Sequence, residues 1–344
     1  MSSSGASITI VIRPPNRHSL SHFRGEDMTT TASSTTVTSA PATSMPQSRS
    51  VMVLAYIGLL ASVSIYGFWR AFIPGDATQL ALAQLSFLLA LFAVTLTWKP
   101  VRALRGFFLV MFAIALLSNV VGPFVLASAP WQSVFGGASG YWSNLGGLVW
   151  KVIVALAMIG LLLMLGTKRR DAFLVKGDLN APSKRSRLIF MRADETWRRS
   201  GRSVAIGGFV VTVVVLLVLN LPRLGGIDNL IKAIPLFPAA LLFAAMNAIH
   251  EEVFLRAAPM SQLVNVVGAG HTLLLTTLFF GLCHYAGSVP DGLTGVVVAS
   301  FLGYIMGKAM LETRGIVWPW IIHFAIDAGI FMFLAVSAVA AGAA

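Results

Sequence analysis

Two adjacent glutamates, a histidine before them and an arginine four residues on stand in "AIHEEVFLRAAP", residues 248–259, inside a stretch that is otherwise apolar. On a helix, Glu252 and Arg256 are i,i+4 neighbours on one face and can pair, whereas Glu251 lies about 100° round the axis from Glu252. A carboxylate left unpaired in hydrocarbon is costly, so Glu251 must face a watery cavity or other polar groups. Two later segments can supply them. "FFGLCHYAG" sets Phe280 and His284 at i,i+4, and "WIIHFAIDAG" sets His323 and Asp327 at the same spacing.

A carboxylate near two imidazoles in a water-accessible pocket suits hydrolysis. Glu251 could take a proton from water as general base, and His284 could hold that water or share its proton. His323 and Asp327 could steady the oxyanion formed when a peptide carbonyl is attacked. Glu252 and Arg256 read as a buried brace. No Ser or Cys takes the nucleophile role clearly; Cys283 neighbours His284 in sequence but points about 100° away on a helix. His250 and Asn247 read as cavity lining, and His271 as interfacial. Zinc is the competing chemistry, with Glu251, His284, His323 and Asp327 as its ligands. The local pattern is not His-Glu-x-x-His, because Phe254 occupies the second histidine position. The single cysteine excludes a multi-Cys zinc site and an intramolecular disulfide.

These residues need elements at a common depth to meet. The chain of 344 residues is 56% hydrophobic and 11% charged, with mean hydropathy +0.80, where a soluble domain carries roughly 25% charged residues. This is the composition of an all-α polytopic membrane protein. About nine apolar segments are long enough to span, near 51–69, 78–97, 107–128, 146–166, 204–221, 234–263, 271–287, 293–311 and 316–337. Residues 1–50 are Ser/Thr/Pro-rich and expected to be disordered. They lack the apolar core of a signal peptide, and Met28 is a second candidate start. Residues 51–166 form a four-span region with almost no polar side chain at depth beyond Lys151. Residues 167–203 form a basic loop, and residues 204–337 hold nearly all the chemistry.

Lys and Arg concentrate in the connections 98–106 and 167–203, while "APWQSVFGGASGYWSN" between them is uncharged. Basic connections stay cytoplasmic, which sets the N-terminus inside and, with nine spans, the C-terminus outside. The net charge of +12 then reads as orientation signal and contact with anionic lipids rather than nucleic-acid binding. Counted from segment ends near Leu263, His271 and Arg314, Glu251, His284 and His323 lie ~18, ~20 and ~13 Å deep at 1.5 Å per residue.

The motifs "EEVFLR", "FGLCH" and "HFAID" resemble Glu-Glu-x-x-x-Arg, Phe-x-x-x-His and His-x-x-x-Asn/Asp in order and spacing. Those motifs mark the CPBP intramembrane protease family, also called ABI, which includes the type II CAAX prenyl endopeptidases. The resemblance covers residues 204–335, about two-fifths of the chain. It implies an all-helical membrane fold with the site in a cavity open to the cytoplasmic side, and a membrane-embedded or lipidated peptide as substrate. It also implies a glutamate-activated water with Glu251 as base and His284 its partner, His323 and Asp327 as the oxyanion pair, and no required metal. The last position holds Asp327 where the prenyl proteases typically carry asparagine, and an ionised aspartate cannot donate a hydrogen bond. The same residues leave two other classes open: a proton-coupled transporter, since intramembrane carboxylates and histidines also mark ion pathways, and a catalytically silent relative acting in peptide-toxin immunity or partner binding.

Overall fold

The computed structural model describes residues 48–69, 76–189, 191–192, 195–220, 224–286 and 291–343. The Ser/Thr-rich tail therefore lies almost wholly outside the described residues. Those described form eight helical stretches long and apolar enough to cross a membrane. They are α1 (Arg49–Gly67), α2 (Ala77–Thr97), α3 (Lys99–Ala127), α4 (Gly140–Met164), α5 (Trp197–Asn220), α6 (Ile227–Cys283), α7 (Gly292–Thr313) and α8 (Val317–Ala340). The all-α polytopic fold is the expected one. The count differs because the sixth and seventh segments are a single helical run, α6, broken at Gly268.

That break determines where the chemistry can meet. Gly268 has φ 78° and ψ 160°, a backbone region essentially confined to glycine. Glu251 stands seventeen residues before it and His284 sixteen after it. Thirty-three residues of straight helix would part them by about 50 Å, yet His284 Nε2 lies 3.9 Å from Glu251 Oε2. The chain doubles back at Gly268, and two arms of nearly equal length bring both side chains to one depth. His323 follows the start of α8 by only six residues, ~9 Å of helix against ~25 Å for Glu251. The α7–α8 turn is therefore recessed relative to the Gly268 turn.

The first arm of α6 packs against α4 and α8, the second against α1 and α7, and α8 also lies along α5. The largest apolar core joins both halves of the chain. Leu59 of α1, Phe107 and Phe108 of α3 and Met158 of α4 cluster with Val253, Phe254, Leu275 and Phe279 of α6.

The two basic connections lie at one end of the bundle. Gln262 Nε2 donates to Thr167 Oγ1 at 3.0 Å, and the Tyr56 hydroxyl pairs with His271 Nδ1 at 2.9 Å beside the Gly268 turn. The described residues of the 167–203 segment form a fastened cover. Asp178 N donates to the carbonyl of Thr313 (2.8 Å), Ile316 N to Val175 (3.0 Å) and Trp318 Nε1 to Leu179 (3.0 Å). Gly177, at φ 74°, and Gly315 touch backbone to backbone; a Cβ on Gly315 would fall 2.4 Å from Gly177 N. Trp197 Nε1 donates to Glu312, which also pairs with the buried Lys308 one turn back. At the opposite end, Tyr141 N donates to the carbonyl of Ala343 and the Tyr141 hydroxyl to that of Phe331, each at 3.1 Å. The uncharged connection and the end of α8 thus share one side.

Gly268→Ala is expected to destabilise the protein by about 1–3 kcal/mol, because a Cβ strains the reversal. Thermal unfolding of the purified protein in detergent checks this. An unchanged midpoint would mean the turn tolerates a side chain.

Candidate active site

Pro259 prepares the helix that carries the glutamates. It has no N–H for the carbonyl of Leu255, and its ring crowds that carbonyl. The turn before it widens into a π-helical stretch over Glu252–Ala257, a departure that recurs at functional sites.

On that stretch Glu252 and Arg256 pair as their spacing predicts, and both are sealed from solvent, at 0% and 1% exposure. The guanidinium also lies 4.4 Å from the centre of the Phe280 ring, a cation–π contact from the second arm of α6. Glu252 Oε1 accepts a further hydrogen bond, from His323 Nδ1 at 2.8 Å. The expected brace therefore reaches beyond its own helix and fixes a ring on α8.

Glu251 has a different set of neighbours. Its Oε1 accepts from Asn247 Nδ2 at 3.1 Å and lies 3.5 Å from Lys151 Nζ. Its Oε2 is buried without a hydrogen-bond partner among the described residues. Two imidazole nitrogens face that oxygen, His323 Nε2 at 3.5 Å and His284 Nε2 at 3.9 Å. Both rings are oriented through their other nitrogen. His284 Nδ1 lies 2.8 Å from the carbonyl of Phe280 and His323 Nδ1 bonds a carboxylate, and neither acceptor can donate. Each Nδ1 therefore carries a hydrogen, and in the neutral ring each Nε2 presents its lone pair toward Glu251. Asp327 Oδ2 lies 3.6 Å from His323 Nε2 and accepts from Asn247 Nδ2 at 2.9 Å.

The structure thus brings all six expected residues together: Glu251, Glu252, Arg256, His284, His323 and Asp327. His250, expected as lining, does line a cavity beside Glu251 and stacks on Phe254 at 5.0 Å between ring centres.

Sequence reasoning underrated two residues. Asn247 is not passive lining, since its amide ties Glu251 to Asp327 and accepts from Lys151 Nζ. Its position four residues before Glu251 was the available signal. Lys151 was visible as an isolated charge in an apolar span, but nothing in the sequence says that α4 abuts α6.

Two cavities flank the carboxylate. The larger, about 340 Å³, is lined by Lys151, Glu251, Cys283 and His284 on one side and by Tyr66, Gln84, Ser118 and Asn119 on the other. The four-span region therefore contributes more polar side chains at depth than Lys151 alone. The smaller, about 60 Å³, is lined by His284, His323 and Asp327 among α6, α7 and α8. The larger cavity reaches Gly67 and Ala286, toward the ends of α1 and α6 that lie away from the basic connections. The resemblance implied an opening on the basic, cytoplasmic side, and this cavity lies in the other half of the bundle. Among the described residues, no group of three or more His, Cys, Asp and Glu side chains has the arrangement of a metal ligand set.

Residues 233–329 match the family model described as Rce1-like, type II CAAX prenyl endopeptidase. The matched segment runs through all three motifs and ends just after Asp327. The segment is similar to the domain of that protease family and covers less than a third of the chain. Helices α1–α5 lie outside it. No curated protein and no solved structure matches the chain.

Arg256→Met is expected to destabilise the protein by about 3–5 kcal/mol, because it leaves Glu252 buried and uncompensated. Adding Glu252→Leu should restore part of that stability. Chemical unfolding of the single and double variants in detergent checks this, and additive losses would show that the two side chains do not depend on each other.

Proposed function

With a Rce1-like domain spanning its three motifs, we propose that this chain hydrolyses a peptide bond in a membrane-embedded or lipidated substrate, with Glu251 as the base that activates water. The observation that carries this reading is the placement of Glu251 Oε2 at a cavity wall, without a hydrogen-bond partner among the described residues. That oxygen faces two imidazole nitrogens, beside a cavity of about 340 Å³ that Glu251 and His284 line. Glu252 Oε2 also lacks a hydrogen-bond partner among the described residues, but Glu252 lines neither cavity, whereas Glu251 lines the larger one.

Water placed between Glu251 Oε2 and His284 Nε2 gives a proton to the carboxylate while hydrogen-bonded to the imidazole. Its oxygen bonds to the substrate's carbonyl carbon, and the C=O π electrons move onto the carbonyl oxygen. Glu251 then delivers its proton to the amide nitrogen as the C–N bond breaks. Glu252 keeps His323 in place through Nδ1, and Asn247 keeps Glu251 aligned with Asp327. Every step uses groups this chain supplies, and the mechanism requires no metal. Were zinc to bind, Glu251, His284, His323 and Asp327 would be its ligands.

The Lys/Arg bias supports an arrangement with both basic connections cytoplasmic, where they meet anionic lipid headgroups, and with the end of α8 on the outer side. In a bacterial cell the membrane would be the plasma membrane. CAAX-type prenylated peptides are the first substrates to try.

Cleavage of prenylated and unmodified peptides by the protein in liposomes tests this reading. Glu251→Gln should lower the rate by at least about 100-fold with folding intact, and a metal chelator should leave the wild-type rate unchanged. Abolition by chelator would turn the four residues into metal ligands. Absence of cleavage with every peptide would favour a binding role, and activity coupled to a proton gradient would favour transport.

A further inference from the structure

The resemblance assigns the oxyanion to His323 and Asp327, but their surroundings fit that task poorly. His323 Nδ1 is committed to Glu252, and its Nε2 lies between two carboxylates, 3.5 Å from Glu251 and 3.6 Å from Asp327. Asp327 Oδ2 already accepts from Asn247. Both residues line the small cavity of about 60 Å³ and do not line the larger one. A peptide in the larger cavity would meet Glu251 and His284 on one wall with Lys151 beside them.

Lys151 has what an oxyanion needs. Its side chain is 39% exposed and lines the larger cavity, and Nζ lies 3.5 Å from Glu251 Oε1. One of its three N–H groups goes to Asn247 Oδ1, which anchors the ammonium and leaves donors for the cavity. Charge points the same way. Glu251, Glu252 and Asp327 crowd the site, and Arg256 is spent on Glu252. As Glu251 takes water's proton its negative charge passes to the carbonyl oxygen, in a site that still holds Glu252 and Asp327, and a cation next to that oxygen stabilises the transfer.

We propose that Lys151, contributed by α4 from outside the matched family segment, is a catalytic residue whose ammonium holds the carbonyl oxygen as it becomes negative. This rests on the peptidase reading. The lysine keeps its protons throughout. It donates a hydrogen bond as the water oxygen bonds to carbon, and releases the oxygen when the C=O bond re-forms and the C–N bond breaks.

The test uses the full chain in liposomes with a peptide the wild type cleaves, and a phosphinate analogue of that peptide, which carries a charged tetrahedral centre at the scissile position. Lys151→Met is expected to lower kcat by about 100–1,000-fold, with KM changed little. Inhibition by the phosphinate should weaken by the same factor by which kcat/KM falls. Lys151→Arg should recover part of both. Should Lys151→Met fail to accumulate, Lys151→Gln removes the charge while keeping a donor for Asn247, and the same parallel losses are expected. Unchanged kcat in the variant overturns the proposal. So does a lowered kcat with unchanged phosphinate binding, since that would mean Lys151 only positions Glu251. Wild type that cleaves while the variant matches it refutes the lysine's role alone. Wild type that cleaves nothing refutes the peptidase reading and this proposal with it.

Discussion

The charge on Arg256, sealed beneath the Phe280 ring, is the constraint on which the site depends. A guanidinium at that depth is tolerable only against a carboxylate, and Glu252 is the one within reach on its helix face. The same Oε1 then orients His323. Because Glu252 meets both demands, its neighbour is released from either. Glu251 projects about 100° away and lines the larger cavity, which Glu252 does not. Two chemically identical side chains thus stand in different settings, one sealed in the brace and one at a cavity wall.

Backbone geometry at a single residue decides whether Glu251 meets His284. The reversal at Gly268 leaves two arms equal to within one residue, so His284 returns to the depth of Glu251. A shift of the break by one residue would move one arm by two residues relative to the other, or ~3 Å and about 200° of rotation. The Glu251–His284 approach would not survive that. The tyrosine–histidine pair beside the turn and the Gln262–Thr167 bond fasten its flanks.

Much of this was legible in the sequence, for physical reasons that also mark the limit. Local spacing on a helix is fixed by 100° per residue, so the Glu252–Arg256 pair and the separate direction of Glu251 could be derived. The apolar runs gave the helices, and three motifs at similar depth gave the site. Contacts between elements distant in the chain carry no such periodic signature. Asn247 became a bridge only because α8 brings Asp327 beside it, and Lys151 entered the site only because α4 lies against α6. The three residues do meet at one depth, but their distances from the helix ends differ because the α7–α8 turn is recessed relative to the Gly268 turn.

The position of Lys151 changes how the first four helices are to be understood. They lie outside the family match, yet they share the main core with α6 and supply one wall of the larger cavity through Tyr66, Gln84, Ser118 and Asn119. Gln84 donates to the carbonyl of Ser62 and accepts from Asn119, each at 2.8 Å, so this wall is cross-linked rather than a loose lining. Helices α1 and α3 both widen into π-helical turns where they meet it, at Ser64–Phe68 and Leu117–Val121, as α6 does on the opposite side. Such turns recur at functional sites. Glu251, His284 and His323 come from the matched segment, while much of the wall of the larger cavity comes from helices beyond it. A match to the one segment therefore leaves the substrate unspecified even where it bears on the reaction.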